Sequence, residues 1–149
     1  MADDDVAAGT ADDEASAAGT ADDEASAVAD GGAPSASVLQ DPAALADADL
    51  DDWGVVDEPI EGESRTAGTV IHKGPDGRSE SGVWTCTPGT WRCKVDRDEF
   101  CYFLEGRATY THEDGTVIDI EPGTTVLFPA GWSGTCRVEE TVRKVYMIR

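Results

Sequence analysis

The feature that most constrains this chain is a series of short, β-prone segments that begins near residue 68. These segments are rich in Val, Ile, Thr, Trp, Tyr and Phe. Turn signals separate them, namely Gly74-Pro75-Asp76-Gly77, Pro88-Gly89, Asp114-Gly115, Pro122-Gly123 and Pro129-Ala130-Gly131. Short strands at intervals of about 8–12 residues are typical of a sandwich or a barrel. The pattern therefore predicts an all-β domain, and no helical period interrupts it.

The runs predict nine strands in this part of the chain. They are expected near residues 69–73, 82–87, 90–95, 99–105, 107–112, 117–121, 125–128, 134–139 and 142–148. The dipeptide Asp114-Gly115 predicts a tight hairpin, because glycine tolerates the positive backbone angles of such a turn. Eight or nine strands suffice for one small jelly roll.

Charge divides the chain in two. Residues 1–64 contain 19 of the 31 acidic residues and none of the 11 basic ones, so they carry −19 of the net charge of −20. The remainder is close to neutral. Such acidity excludes nucleic acid and anionic membranes as default partners. No apolar run is long enough to span a bilayer, and the first residues lack a signal-peptide pattern, so we expect a cytoplasmic protein.

The sequence predicts three units along the whole chain. The decapeptide AAGTADDEAS occurs twice in tandem, and its only apolar residue is alanine, so residues 1–40 are expected to form a disordered acidic tail. Residues 41–64 contain Trp53, Val55, Val56 and Ile60 and are predicted to dock on the barrel as an N-terminal arm. Residues 65–149 form the barrel. The tail is interpreted as solubilising, with a halophilic surface or a docking segment for a basic partner as alternatives.

Two segments of the β-rich half resemble the cupin motifs. Residues 89–106 read GTWRCKVDRDEFCYFLEG and end with Glu99, six residues and Gly106, which resembles the first motif. Residues 123–131 read GTTVLFPAG and resemble the start of the second motif. The stretch from about residue 50 to 149 resembles a single-domain cupin subgroup that includes the ureidoglycine aminohydrolase and ethanolamine-utilisation cupins. The resemblance implies a double-stranded β-helix, the RmlC-like jelly-roll barrel.

The resemblance also implies a metal site, from which this sequence departs. A metal-binding cupin carries two His before the motif Glu and one after the second motif. Here Arg92 and Lys94, or Cys93 and Val95, occupy the first places, and Gly134 occupies the last. Only Glu99 remains of four ligands, and one carboxylate does not hold a transition metal. We therefore expect no metal cofactor, with a divalent ion as the alternative.

Alternation along the strands predicts which side chains line the barrel. If Glu99 points inward, so do the residues two and four positions later. Ligand-binding residues are expected to be Trp84, Trp91, Cys101, Phe103, Phe128, Trp132, Cys136, Lys144 and Tyr146. Such a lining suits a small, partly apolar ligand with an amine or hydroxyl group. The four Cys are expected to be core thiols, with a zinc site that includes Glu99 or a reactive nucleophile as alternatives.

The function expected from these residues is the binding of a small metabolite by a metal-free cupin. Glu99 is the candidate acid or base if the barrel is catalytic, and the alternative is a structural carboxylate paired with Arg92, Lys94 or Lys144. Two other functions remain open: a catalytic C–N hydrolase of the ureidoglycine aminohydrolase type, and a structural or assembly protein. A domain of about 85 residues buries only roughly 60–65% of its chain surface, so a homodimer is also expected.

Overall fold

The computed structural model describes residues 49–149, which form nine strands in one antiparallel curled sheet. In chain order the strands are β1 (Asp51–Val55), β2 (Pro59–Glu61), β3 (Arg65–Lys73), β4 (Glu80–Cys86), β5 (Gly89–Val95), β6 (Glu99–His112), β7 (Val117–Ile120), β8 (Thr125–Phe128) and β9 (Trp132–Ile148). The all-β prediction is confirmed. Residues 1–40, assigned above to a tail, and residues 41–48 of the arm lie outside the described part.

Two long strands, β6 and β9, pair with each other along nearly their whole lengths and bend the sheet into two halves. Residues 142–148 of β9 pair with β4, and residues 132–138 pair with β5. On its other side, β6 pairs with β8 through residues 99–102 and with β7 through residues 108–111. The inward faces of the two halves enclose the core.

The sequence predicted two strands where each of these long strands runs unbroken. Register shifts between Phe103 and Ala108 let β6 bend without ending. Gly106 lies in the bend with a φ of 84°, and a Cβ atom there would collide with the Thr141 carbonyl oxygen. Gly106 therefore does not end a strand, and its missing side chain lets the backbone of β6 approach that of β9 closely.

Residues 49–64, which belong to the predicted N-terminal arm, form two strands of the sheet. β1 pairs with β3, and β2 pairs with β5. Trp53 packs on the core cluster, and its indole lies directly over Gly68. These contacts place the β1–β2 segment beside the open end of the barrel. No helix among residues 49–149 is long and apolar enough to cross a membrane.

Candidate ligand site

A cavity of about 500 Å³ opens at one end of the barrel. Six aromatic side chains contribute to its lining: Trp53, Trp84, Trp91, Tyr110, Phe128 and Tyr146. The polar wall of the cavity consists of Glu80, Glu99, Lys144 and Tyr146. Six further charged side chains also line it, namely Asp57, Glu58, Arg92, Lys94, Asp96 and Arg97. The combination of aromatic walls and a few convergent polar groups is typical of a small-molecule site.

Strand β9 organises the polar wall. Lys144 and Tyr146 are two residues apart and face inward, because side chains alternate along a strand. Glu80 of β4 and Glu99 of β6 are both Cα partners of Ile148, so one carboxylate flanks β9 on each side at the same level. The register therefore brings four polar side chains from three strands to one patch of wall.

The first pair in this wall joins Lys144 to Glu99. Lys144 Nζ donates to Glu99 Oε1 at 2.6 Å, and it also lies 4.6 Å from the centroid of the Trp84 ring. Burial acts to lower the pKa of Lys144 and is the largest single influence. Attraction by Glu99 and the hydrogen bond to it, together with the neighbouring Cys101 and Cys93, outweigh burial and hold that pKa above its usual value. Lys144 is therefore a fixed ammonium group at neutral pH, neutralised by Glu99 and stacked on an aromatic ring.

The second pair joins Tyr146 to Glu80. The Tyr146 hydroxyl donates to Glu80 Oε1 at 2.7 Å, and Lys73 Nζ lies 3.7 Å from Glu80 Oε2. Burial, followed by the hydrogen bond to Glu80, raises the pKa of Tyr146, so the phenol stays protonated. Gly82 makes room for this pair, because a Cβ atom there would lie only 2.8 Å from the phenol oxygen.

All four cysteines are free and buried. Burial raises the pKa of the Cys86 thiol to about 11 and those of Cys101 and Cys136 to about 12. The pKa of Cys93, which lines the cavity, is raised as well. Thiols with such pKa values remain protonated at neutral pH and are weak nucleophiles.

The structure brings six of the ten predicted site residues to the cavity and leaves four away from its wall. Those at the cavity are Trp84, Trp91, Glu99, Phe128, Lys144 and Tyr146. The other four are buried in the core, namely Cys101, Phe103, Trp132 and Cys136. Trp132 was predicted to bind the ligand. Its ring instead packs edge-on against Phe128 and Tyr110, at centroid distances of 5.0 and 6.0 Å.

Sequence reasoning missed Glu80, Tyr110 and the β1 residues at the cavity. Glu80 shares the inward face of β4 with Trp84, four residues later, but the predicted strand began at residue 82 and so excluded it. Strict alternation from Glu99 along β6 would turn Tyr110 outward, and only the register shifts between Phe103 and Ala108 bring it to the inward face. Trp53 gave no such signal, because its place depends on the pairing of β1 with β3.

The metal that the cupin fold implies does not fit the side chains around Glu99. Within residues 49–149, no three His, Cys, Asp or Glu side chains converge to hold an ion. The Lys144 ammonium lies 2.6 Å from Glu99 Oε1 and so places a positive charge where a cation would have to bind. Repulsion by this ammonium and the shortage of further donors both oppose a divalent ion.

The family assignment follows from the sequence match. Residues 73–146 match the model of the EutQ-like cupin domain, and this range covers strands β4 to β8 and most of β9. This part of the chain is a EutQ-like cupin domain. No curated protein shows significant sequence similarity to this cupin.

Several solved structures share the fold of this cupin. A protein of unknown function in the DUF861 family from Pseudomonas syringae aligns with a TM-score of 0.63 and 22% identity over 68% of this chain, which spans 45% of that protein. The putative ethanolamine utilization protein Q of Salmonella typhimurium aligns with a TM-score of 0.50 and 22% identity, over 56% of this chain and 68% of that protein. EutQ of Clostridium difficile aligns with a TM-score of 0.51 and 16% identity, over 57% of this chain and 68% of that protein. At these identities the likeness establishes the fold.

Proposed function

We propose that this cupin binds a small metabolite in its barrel cavity without a metal ion. The observation that carries the proposal is the Lys144–Glu99 pair at the cavity wall. The two side chains are only 8% and 15% exposed. Burying two charges has a desolvation cost, and a purely structural position would be filled as well by apolar residues. Retaining the pair is useful where a ligand needs a hydrogen-bond donor and an acceptor side by side.

The aromatic wall supports the same proposal. Trp84 and Phe128 belong to the buried core cluster and also line the cavity. Flat aromatic faces contribute to binding by packing on the carbon skeleton of a ligand. The ligand that suits this lining is small and partly apolar, with a polar group that reaches Glu99 and Lys144.

Calorimetric titration tests the proposal on the full chain, with candidate metabolites first selected by their effect on thermal unfolding. Glu99→Gln should weaken binding of a selected metabolite at least tenfold. The matched control is Glu139→Gln, which alters an exposed carboxylate on the outer face of β9. Equal affinity in both variants and the parent protein would contradict a role for Glu99.

Elemental analysis of the purified protein tests the metal-free part. We expect Mn, Fe and Zn far below one ion per chain. A stoichiometric transition metal would instead favour the alternative, a catalytic cupin of the ureidoglycine aminohydrolase type, because a bound divalent ion supplies the Lewis acid that such a hydrolysis uses.

We also propose that two copies of the chain associate through the outer face of β8, β6 and β9. Leu127, Phe100 and Met147 are Cα partners across these strands, and their side chains are exposed, Leu127 by 63%. The adjoining outward row of Thr125, Tyr102 and Val145 also lacks charged side chains. Because each copy carries a net charge of −20, an uncharged apolar face is where two copies can meet without opposing carboxylates.

Sedimentation equilibrium tests the association. The parent chain should sediment as a dimer at micromolar concentration, and Phe100→Glu should weaken the dimer at least tenfold. Val117→Glu is the control, because Val117 is 55% exposed but lies on β7, outside this face. A monomeric parent chain at 100 μM would contradict the proposal.

A further inference from the structure

Glu80 differs from Glu99 in that its ion pair, with Lys73, is longer and involves a more exposed ammonium group. Its direct hydrogen-bond partner is the neutral Tyr146 hydroxyl, at 2.7 Å. The Lys73 ammonium lies 3.7 Å from the other carboxylate oxygen, and the Lys73 side chain is 55% exposed, so water screens its charge. Glu80 itself is only 8% exposed. A buried carboxylate with this environment is incompletely compensated, and a cation that reached it would gain free energy.

The polar wall carries an excess of one negative charge, because it contains the carboxylates Glu80 and Glu99 and the ammonium Lys144. The other charged side chains that line the cavity are three acidic and three basic ones, so they leave this excess unchanged. Lys144 is already committed to Glu99 and to the face of Trp84. A ligand cation is therefore repelled by the Lys144 side of the wall and attracted by the Glu80 side.

The register places the two carboxylates on different strands, one on each side of β9. Glu80 and Glu99 both oppose Ile148 from opposite sides of β9. Since neighbouring strands lie about 4.8 Å apart, their Cα atoms are roughly 10 Å apart. A ligand of a few carbon atoms can thus place an amine at one carboxylate while its body packs on the aromatic wall.

From this geometry we infer that Glu80, supported by Tyr146, is an anchor for a primary or secondary ammonium group of the ligand. The inference rests on the proposed function and narrows it from small metabolites in general to organic amines. Tyr146 holds the Glu80 carboxylate in place by donating to Oε1. Lys73 Nζ lies 3.7 Å from Oε2, beyond hydrogen-bond distance, so a ligand amine that comes closer can donate to that oxygen.

A pair of probes of equal shape tests the inference. Benzylammonium and benzyl alcohol differ in the charge of one terminal group, and both are small enough for a cavity of about 500 Å³. Binding to the ¹⁵N-labelled full chain is followed through the indole N–H signals of the four Trp residues. Trp53, Trp84 and Trp91 line the cavity and should shift, whereas Trp132 lies away from its wall and serves as the internal control.

The expected result is a preference of at least tenfold for benzylammonium in the parent protein. Glu80→Gln should reduce this preference to less than threefold, because it should weaken the binding of benzylammonium and leave the binding of benzyl alcohol unchanged. Glu80→Asp, which keeps the charge and retracts it by one methylene, should retain an intermediate preference and provides a second variant if the Gln substitution prevents folding. Glu139→Gln should leave the preference unchanged.

Three outcomes would overturn the inference in distinguishable ways. If both probes shift the three cavity indoles with equal affinity, the cavity binds ligands but Glu80 does not select amines. If the preference survives Glu80→Gln and is lost in Glu99→Gln, the amine anchor is Glu99. If neither probe nor any selected metabolite shifts these signals, the proposed function fails together with the inference.

Discussion

The two halves of strand β9 show how one alternating pattern builds two different environments. Residues 132–138 bury Trp132, Cys136 and Val138 against other apolar side chains. Residues 142–148 bury Lys144 and Tyr146, each bonded to a carboxylate. Both halves alternate inward and outward in the same way. The difference comes from the neighbouring strands. β5 presents the buried Cys93 and Val95 beside the first half, whereas β6 and β4 present Glu99 and Glu80 beside the second.

A long strand can thus contribute to a packed core at one end and to a binding site at the other. In the half that includes Trp132, aromatic rings fill the interior edge to face. In the half that includes Lys144, polar groups are kept in place by short hydrogen bonds. Rigid packing at one end thus supports the site at the other end of the same strand.

The largest expected effect separates packing from binding. Trp132→Ala should lower the free energy of unfolding by about 4 kcal/mol, because it removes a large buried side chain from the half of β9 that pairs with β5. At temperatures where the variant remains folded, its affinity for a cavity ligand should change less than threefold. Urea denaturation and calorimetry measure the two quantities. A small stability change with a large affinity change would reverse the roles assigned to the two halves.

Next in size is the loss of the ammonium from the polar half. Lys144→Met should lower the free energy of unfolding by about 3 kcal/mol, because it leaves Glu99 partly buried without its counter-ion. The double variant Lys144→Met, Glu99→Gln should recover most of this loss, since it removes both charges. Urea denaturation of all four proteins completes the cycle. Additive losses would show that the two side chains do not interact.

The four buried thiols should make the folding stability depend on pH. Their pKa values are raised from the ordinary 9.0 to about 11 for Cys86 and about 12 for Cys101 and Cys136. The unfolded chain therefore ionises first, and folding stability should fall as the pH rises above about 9. The urea midpoint between pH 7.5 and 10.5 measures this fall. Cys136→Ala should flatten it, and an unchanged slope in that variant would exclude a contribution from Cys136.

The smallest expected effect is at the cavity mouth. Glu58 lies 3.8 Å from Arg92 Nε and 3.6 Å from Lys94 Nζ, and all three side chains are more than half exposed. Glu58→Gln should change the free energy of unfolding by less than about 1 kcal/mol, because exposed ion pairs contribute little. A larger loss in urea denaturation would show that the mouth contributes to stability as much as the buried pair does.

The candidate site was only partly predictable. Glu99 was identified from its place in the cupin-like motif, and Lys144 and Tyr146 because they share one face of the last strand. Alternation also selected Cys101, Phe103 and Cys136, which the packed core encloses. Alternation gives the face of a side chain, but the depth of that side chain depends on how far the bent strands close above it. Sequence alone therefore could not distinguish the residues that line the cavity from those that are buried in the core.

What the sequence determined by itself is the strand content of residues 65–149 and the turns that delimit most of it. Local propensities and glycine-containing turns carry that information, because they depend on neighbours along the chain. The tertiary structure decided that β6 and β9 run through their predicted breaks, and that Glu80 meets Tyr146 across 66 residues of sequence. Those features depend on register between distant strands, and no local pattern encodes it.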